Sequence, residues 1–257
     1  MLIDTHTHLY SEAFNDDIDA VIARAKENGI TRFYLPAIDS SHTQAMYNLK
    51  NKYPNEMYLM AGLHPTSVKE NYKTELKHVV SQLQKNTFCA IGEIGIDLYW
   101  DKTTIEIQKE AFSFQIKLAK QYKLPIVIHC REAFDAVFEV LEQHKGSDLL
   151  GIFHCFTGTL EQAQKAISYN MKLGIGGVIT FKNGKIDTFL NKIPLEHIVL
   201  ETDSPYLAPV PYRGKRNESG YLSIICEKVA QVYHKTFDEI ATQTSKNALE
   251  IFRHNIK

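Results

Sequence analysis

The sequence predicts an α/β protein, a closed (β/α)8 barrel of the TIM type. Eight short apolar runs alternate with helix-period segments, a spacing that implies βα units around a parallel sheet. Eight such units fill a barrel of this length, whereas an open doubly wound sheet usually has fewer strands. It also carries a glycine-rich phosphate loop after the first strand, and none follows here.

The first run, MLID, opens the chain, and a helical segment from Ile18 to Asn28 ends at Gly29 before the second, RFYLPAI. MYLMAGL and CAIGEIGI are the third and fourth. Thr103 and Glu106 then read as a capping box ahead of the helix IQKEAFSFQIKLAKQYK. PIVIHC, LLGIFHC, MKLGIGG and HIVLETD complete the eight. The loop APVPYRGKRNESG and two further helices follow, the last opened by a capping box of Thr236 and Glu239. With no linker, repeat or composition boundary, residues 1–257 read as one domain.

The chain of 257 residues carries 29 basic and 30 acidic side chains, a formal net charge of −1. No global field therefore draws it to polyanions, and any such binding must come from a local patch. No stretch approaches the ~18 apolar residues of a membrane span, and the first residues lack the basic, then apolar, pattern expected of a signal peptide. A cytoplasmic monomer with no membrane partner is expected. Cys89, Cys130, Cys155 and Cys226 form no C-x-x-C pair and are expected to be reduced and mostly buried.

In a barrel of this kind the active site lies at the C-terminal ends of the strands. Run one ends in His6 and His8, three in His64, four in Glu93, five in His129, six in His154 and eight in Asp203. A single histidine at a strand end is ordinarily a hydrogen-bonded packing residue. Six of eight strands ending in a metal-ligand or general-base type point instead to a metal site. The other histidines (His42, His78, His144, His197, His234, His254) fall on predicted helices or connections.

His6 and His8, one residue apart in an extended segment, project from one face. The same alternation turns Cys130 and Cys155 away from their neighbouring histidines, toward the surrounding helices, so a Cys/His zinc cage is not expected. Asp4 shares a face with His6 and Glu201 with Asp203; each can orient a ligand from below or be satisfied by a neighbouring strand. Asp97 is expected in the loop after run four, in a supporting role. Arg213, Lys215, Arg216 and Asn217 surround Gly214 above Asp203, where late barrel loops often bind phosphate. Arg213 and Asn217 are the expected phosphate contacts, with Arg131, on the face of His129, as a further one.

The ordered motifs DTHTH, GLHP, IGEIGID, IVIHCREA, HCFTG, ETDSP and RGKRNES closely resemble those of the TatD family of metal-dependent deoxyribonucleases. The resemblance spans nearly the whole chain. It implies two divalent cations (Mg²⁺, Mn²⁺ or Zn²⁺), the first held by His6, His8 and Asp203 and the second by His129 and His154, with Glu93 bridging them. Two cations ~3.5–4 Å apart can grip both the attacking and the leaving oxygen of a phosphodiester. Asp203 is then the expected general base, and His64, without a ligand partner in this scheme, the expected contact to the scissile phosphate or leaving group. The implied activity is hydrolysis of DNA phosphodiesters, as a 3′-5′ exonuclease. The alternative is a metal-dependent ester or amide hydrolase such as a D-aminoacyl-tRNA deacylase. One departure stands out: the family commonly continues N-E-P where this chain has Ser219 after Glu218, which is expected to loosen the loop.

Overall fold

In the computed structural model, which describes residues 1–253, all eight apolar runs supply strands. They are β1 (Leu2–Asp4), β2 (Ile30–Leu35), β3 (Met57–Ala61), β4 (Ala90–Asp97), β5 (Ile126–Arg131), β6 (Gly151–Phe153), β7 (Met171–Ile175) and β8 (Ile198–Leu200). Every neighbouring pair is parallel, and the order around the sheet is the order in sequence. His254 lies outside the described residues.

Six helices return the chain between strands: α1 (Ile18–Glu27), α2 (Thr43–Lys52), α3 (Tyr72–Lys85), α4 (Ile105–Tyr122), α5 (Phe134–Gln143) and α6 (Leu160–Ser168). Each lays an apolar stripe on the strands, as α4 does with Ala111, Phe112, Ile116 and Ala119. The connection from β7 to β8 is a series of 3₁₀ turns between 177 and 197 instead of a helix. The capping box expected at Thr103 does not form. Thr103 donates its N–H and hydroxyl to Asp101, and α4 starts at Ile105. The Thr236–Glu239 box does form, at the start of α8 (Phe237–Ile251), which follows α7 (Leu222–Tyr233).

The barrel interior is filled by Ile3, Tyr34, Met60, Ala90, Val127, Ile152 and Val199, all buried and contributed by seven different strands. Ala248, Leu249, Ile251 and Phe252 close the bottom, with Phe252 stacked on Tyr34 at 3.9 Å between ring centroids. The N-terminal end is thereby plugged, and the C-terminal end carries the opening.

Between β8 and β1 the barrel is closed beyond the regular ladder. Thr5 N–H donates to the Leu200 carbonyl (3.1 Å), Asp203 N–H to the His6 carbonyl (2.9 Å) and His8 N–H to the Ser204 carbonyl (2.7 Å). Beneath these rungs lies the buried Asp4 carboxylate. Its Oδ1 accepts from Thr202 N–H (2.9 Å), and its Oδ2 accepts from the Thr202 hydroxyl (2.6 Å) and the Ser219 hydroxyl (2.6 Å). Asp4 thus ties β1 to the segment after β8, which fixes His6 and His8 relative to Asp203. The bond from Ser219 is one a proline could not make. Contrary to the expectation of a loosened loop, Ser219 is fully buried and anchors it.

Candidate metal centre

His6 and His8 lie just beyond the three-residue β1, and Asp203 just beyond β8, so the seam bonds bring them together. The Asp203 backbone is left-handed, φ 57°, a conformation that aspartate adopts more readily than most residues. His6 Nε2 stands 3.8 Å and His8 Nε2 3.5 Å from Asp203 Oδ1.

Glu93 is not at the end of its strand. β4 runs on to Asp97, and the register against β5 slips by one residue between Ile91 and Ile94. This bulge places Glu93 in the barrel mouth although the strand continues past it, a common use of an extra residue. Ala37 braces it through two backbone bonds, its N–H to the Gly92 carbonyl (2.9 Å) and its carbonyl to Glu93 N–H (3.1 Å). Gly95, at φ 144°, then brings β4 so close to the His129 carbonyl that a Cβ there would overlap it.

The two Glu93 oxygens face different groups. Oε2 lies 3.1 Å from His6 Nε2 and 3.6 Å from His8 Nε2; Oε1 lies 2.8 Å from His129 Nδ1 and 3.3 Å from both His154 Nε2 and His64 Nε2. Three sets of donors converge within cation-binding reach: His6, His8 and Asp203; His6, Glu93 and His154; and His64, Glu93 and His129. The structure thus brings together every residue expected to hold metal. It differs from the expected scheme in two respects: His64 stands beside Glu93 and His129, and His154 stacks on His6 at 3.6 Å.

The outward nitrogens of these rings decide whether the inward ones can hold a cation. Tyr10 donates its hydroxyl proton to the Pro36 carbonyl (2.6 Å), so its oxygen, 2.8 Å from His8 Nδ1, must accept from that ring. His8 therefore carries its proton outward and its lone pair inward. His129 Nε2 is 2.8 Å from Asp97 Oδ2, and His154 Nδ1 is 2.9 Å from Glu201 Oε1, with the same result. His64 is oriented oppositely. Its Nδ1 accepts from Thr66 N–H (3.2 Å), so the neutral ring keeps its proton on the inward Nε2. The nitrogens of His8 on one side of Glu93 and of His129 and His154 on the other could hold a divalent cation; the inward N–H of His64 fits an anionic oxygen.

Electrostatics agree with this reading. Burial would push the Glu93 carboxyl up, but His64, His154 and His6 around it hold it well below the usual range. Burial likewise opposes the charge on His154, yet the carboxylates of Glu201, Glu93 and Asp203 push it up to about 10. The carboxylates that hold a proton on the inward Nε2 of His154 would hold a cation in its place, and losing that proton frees the lone pair a cation needs.

Several supporting residues differ from expectation. Asp97 is the last residue of β4, not a loop residue; Glu201, one of the residues expected to orient a ligand from below, holds His154 and accepts from Cys155 N–H (2.6 Å). Room for that carboxylate comes from Gly174, where a Cβ would collide with Glu201 Oε2. Cys155 and Cys130 both line the site cavity instead of only facing the helices, Cys130 also packing partly against the core. All four cysteines are free, but only Cys226 is fully buried. Tyr10 and Thr66 were not expected at all, although each lies two residues after the histidine that it orients.

The basic loop is pinned, not open. Asn217 is fully buried, donates to the carbonyls of Thr202 (2.7 Å) and Tyr206 (2.6 Å), and accepts from Glu218 N–H (2.9 Å), so it has no donor left for phosphate. Arg216 grips Asp17 through both oxygens, at 2.7 and 2.6 Å. Arg213 lies over the Phe181 ring at 4.4 Å. Of Arg213, Asn217 and Arg131, only Arg131 lines the cavity, with His64, His129, Glu93 and Asp203.

Two results are expected from these contacts. Asn217→Ala leaves two carbonyls and one N–H unsatisfied and should lower stability by about 2–3 kcal/mol, or the melting temperature by roughly 4–12 °C. Unchanged melting with weakened substrate binding would restore Asn217 as a ligand contact. Tyr10→Phe should release the His8 tautomer and weaken cation affinity by roughly 10–100-fold, read by calorimetric titration of metal-stripped protein.

Comparison with known proteins agrees. A family model described as TatD related DNase matches residues 3–253. The chain is 38% identical to an uncharacterized metal-dependent hydrolase, YabD, of Bacillus subtilis, covering 99% of this chain and all of that one. It is 30% identical to a protein of Pantoea vagans named 3′-5′ ssDNA/RNA exonuclease TatD, over 98% of this chain and 99% of that one. The crystal structure of the TatD homologue YjjV of Escherichia coli superposes with a TM-score of 0.92 at 29% identity, covering 98% of each chain. With barrel, ligand cluster and sequence in agreement, the chain belongs to the TatD-related DNase family of metal-dependent hydrolases.

Proposed function

We propose that this protein is a divalent-cation-dependent phosphodiesterase that removes nucleotides from the 3′ end of a DNA strand. The observation that carries the reading is the division of Glu93, whose two oxygens face His6 and His8 on one side and His129, His154 and His64 on the other. A carboxylate so placed suits a pair of cations. When bound, two cations would neutralise the phosphodiester and activate the attacking water, with His6, His8 and Asp203 holding one and His129 and His154 the other.

The chain's own groups supply the rest. Asp203 has a side chain 12% exposed against 2% for Glu93 and lines the cavity. An ionised carboxylate at the cavity wall suits the role of taking the proton of the nucleophile. His64 presents its inward N–H to an oxygen of the phosphate or of the leaving group. Arg131, at the rim, meets a phosphate entering the cavity. No described helix is long and apolar enough to cross a membrane.

Protein stripped of metal and reloaded separately with Mg²⁺, Mn²⁺ and Zn²⁺ tests the proposal on end-labelled single-stranded DNA, RNA and a D-aminoacyl-tRNA. Stepwise shortening of the DNA from its 3′ end, abolished by chelation, is the expected result. Deacylation of the tRNA with intact oligonucleotides would overturn it in favour of ester hydrolysis.

A further inference from the structure

Trp100 is the sole tryptophan of the chain, and 70% of its surface is exposed at the mouth of the site cavity. Beside it, Tyr99 is 50% exposed and meets the indole edge-on at 5.0 Å. The Arg131 guanidinium lies 3.8 Å from the centre of the Tyr99 ring and 5.7 Å from that of Trp100. An open indole and a cation are thus assembled where the substrate must enter. Large aromatic side chains left this open are the kind of surface that a ligand covers.

The pair is also held in fixed relation to the reacting centre. Asp97 Oδ1 accepts from Tyr99 N–H (2.9 Å) and Trp100 N–H (3.1 Å), while its Oδ2 holds His129 Nε2 (2.8 Å). Gln108 fixes Asp97 in turn, accepting from its N–H (2.8 Å) and donating to its carbonyl (3.1 Å). One carboxylate therefore orients a candidate metal ligand and anchors the backbone of the aromatic pair. Any group lying on the indole is positioned relative to Glu93 by the same residue.

We infer that Trp100, backed by Tyr99 and Arg131, is a stacking platform for an unpaired nucleobase next to the scissile phosphate. The inference rests on the phosphodiesterase reading above and adds to it a residue that senses the base as distinct from the phosphate. Aromatic platforms accept any base, because every base has a π-face, so the platform favours unpaired ends without selecting sequence. Arg131 serves both functions, polarising the aromatic pair and meeting the phosphate that follows the stacked base.

The unique tryptophan makes the platform directly readable. Fluorescence of the Mg²⁺-loaded wild-type protein is titrated with a phosphorothioate octathymidylate and with an abasic oligomer of the same length. Saturable quenching by the first and none by the second is expected. In kinetics, Trp100→Ala should raise KM for octathymidylate roughly tenfold or more with little change in kcat, and Trp100→Phe should restore most of the loss. Cleavage of the abasic oligomer should be the same in wild type and variant. Equal losses on both oligomers, no loss on either, or fluorescence indifferent to the bases would each overturn the platform. Quenching by octathymidylate in a protein that hydrolyses neither oligomer would support the platform and overturn the phosphodiesterase reading, so the two fail separately.

Discussion

Glu93→Gln is expected to abolish hydrolysis more completely than the loss of any one histidine. The glutamine keeps the shape of the side chain but gives up its charge and one of its two acceptor oxygens. Those oxygens face His6 and His8 on one side and His129 on the other, at 3.1, 3.6 and 2.8 Å, so with two cations bound as proposed one substitution would weaken both positions. It also removes the charge that the surrounding histidines balance, leaving His64 and His154 without their central partner. We expect turnover to fall by roughly 10³-fold or more, about 4 kcal/mol of barrier. Metal content should fall with it, measured by elemental analysis after dialysis. His6→Ala should be milder, because Glu93 and His129 keep their contact. A Glu93→Gln protein that retains two cations per chain and near-normal turnover would rule out bridging.

Asp203→Asn should lose turnover and spare affinity. A general base acts only in the transition state, whereas in the proposed function the bound phosphodiester would be held chiefly by cations and by Arg131. Removing a base of this kind typically costs about 10²–10⁴-fold in kcat. Asparagine tolerates the left-handed backbone at this position, φ 57°, so the turn after β8 should survive. Its side chain can still offer an oxygen toward His8, and partial cation retention is expected. Kinetics must therefore be run at saturating cation with the metal content measured in parallel. Full occupancy with unchanged turnover would exclude Asp203 as the base.

Both variants address residues that could be named from the chain alone, because the barrel places chemistry at strand ends and the strands are marked by apolar runs. The period of two correctly put His6 and His8 on one side, and the ordered motifs correctly pointed to the family. At β4 the end of the apolar run is a poor guide, since the strand continues past it and a bulge shifts register without any residue announcing it. Glu93 is expected at a strand end and Asp97 in a loop, whereas Asp97 ends the strand and orients His129. The basic loop misled for another reason. Arg213, Arg216 and Asn217 look alike as donors in a sequence, but their partners, Phe181, Asp17 and the carbonyls of Thr202 and Tyr206, are brought to them by folding.

The sequence by itself determined the barrel, the strand order and the identity of the candidate ligands, because each depends on short-range periodicity and on residue type at a strand end. Tertiary structure decided which nitrogen of each ring faces inward, since that depends on partners such as Tyr10, Thr66, Asp97 and Glu201, whose hydrogen bonds are set by side-chain geometry. It also decided that Ser219 strengthens its loop. Asp4 and Ser219 are 215 residues apart, and only closure of the seam between β8 and β1 brings a hydroxyl within 2.6 Å of a carboxylate that must be satisfied once it is buried.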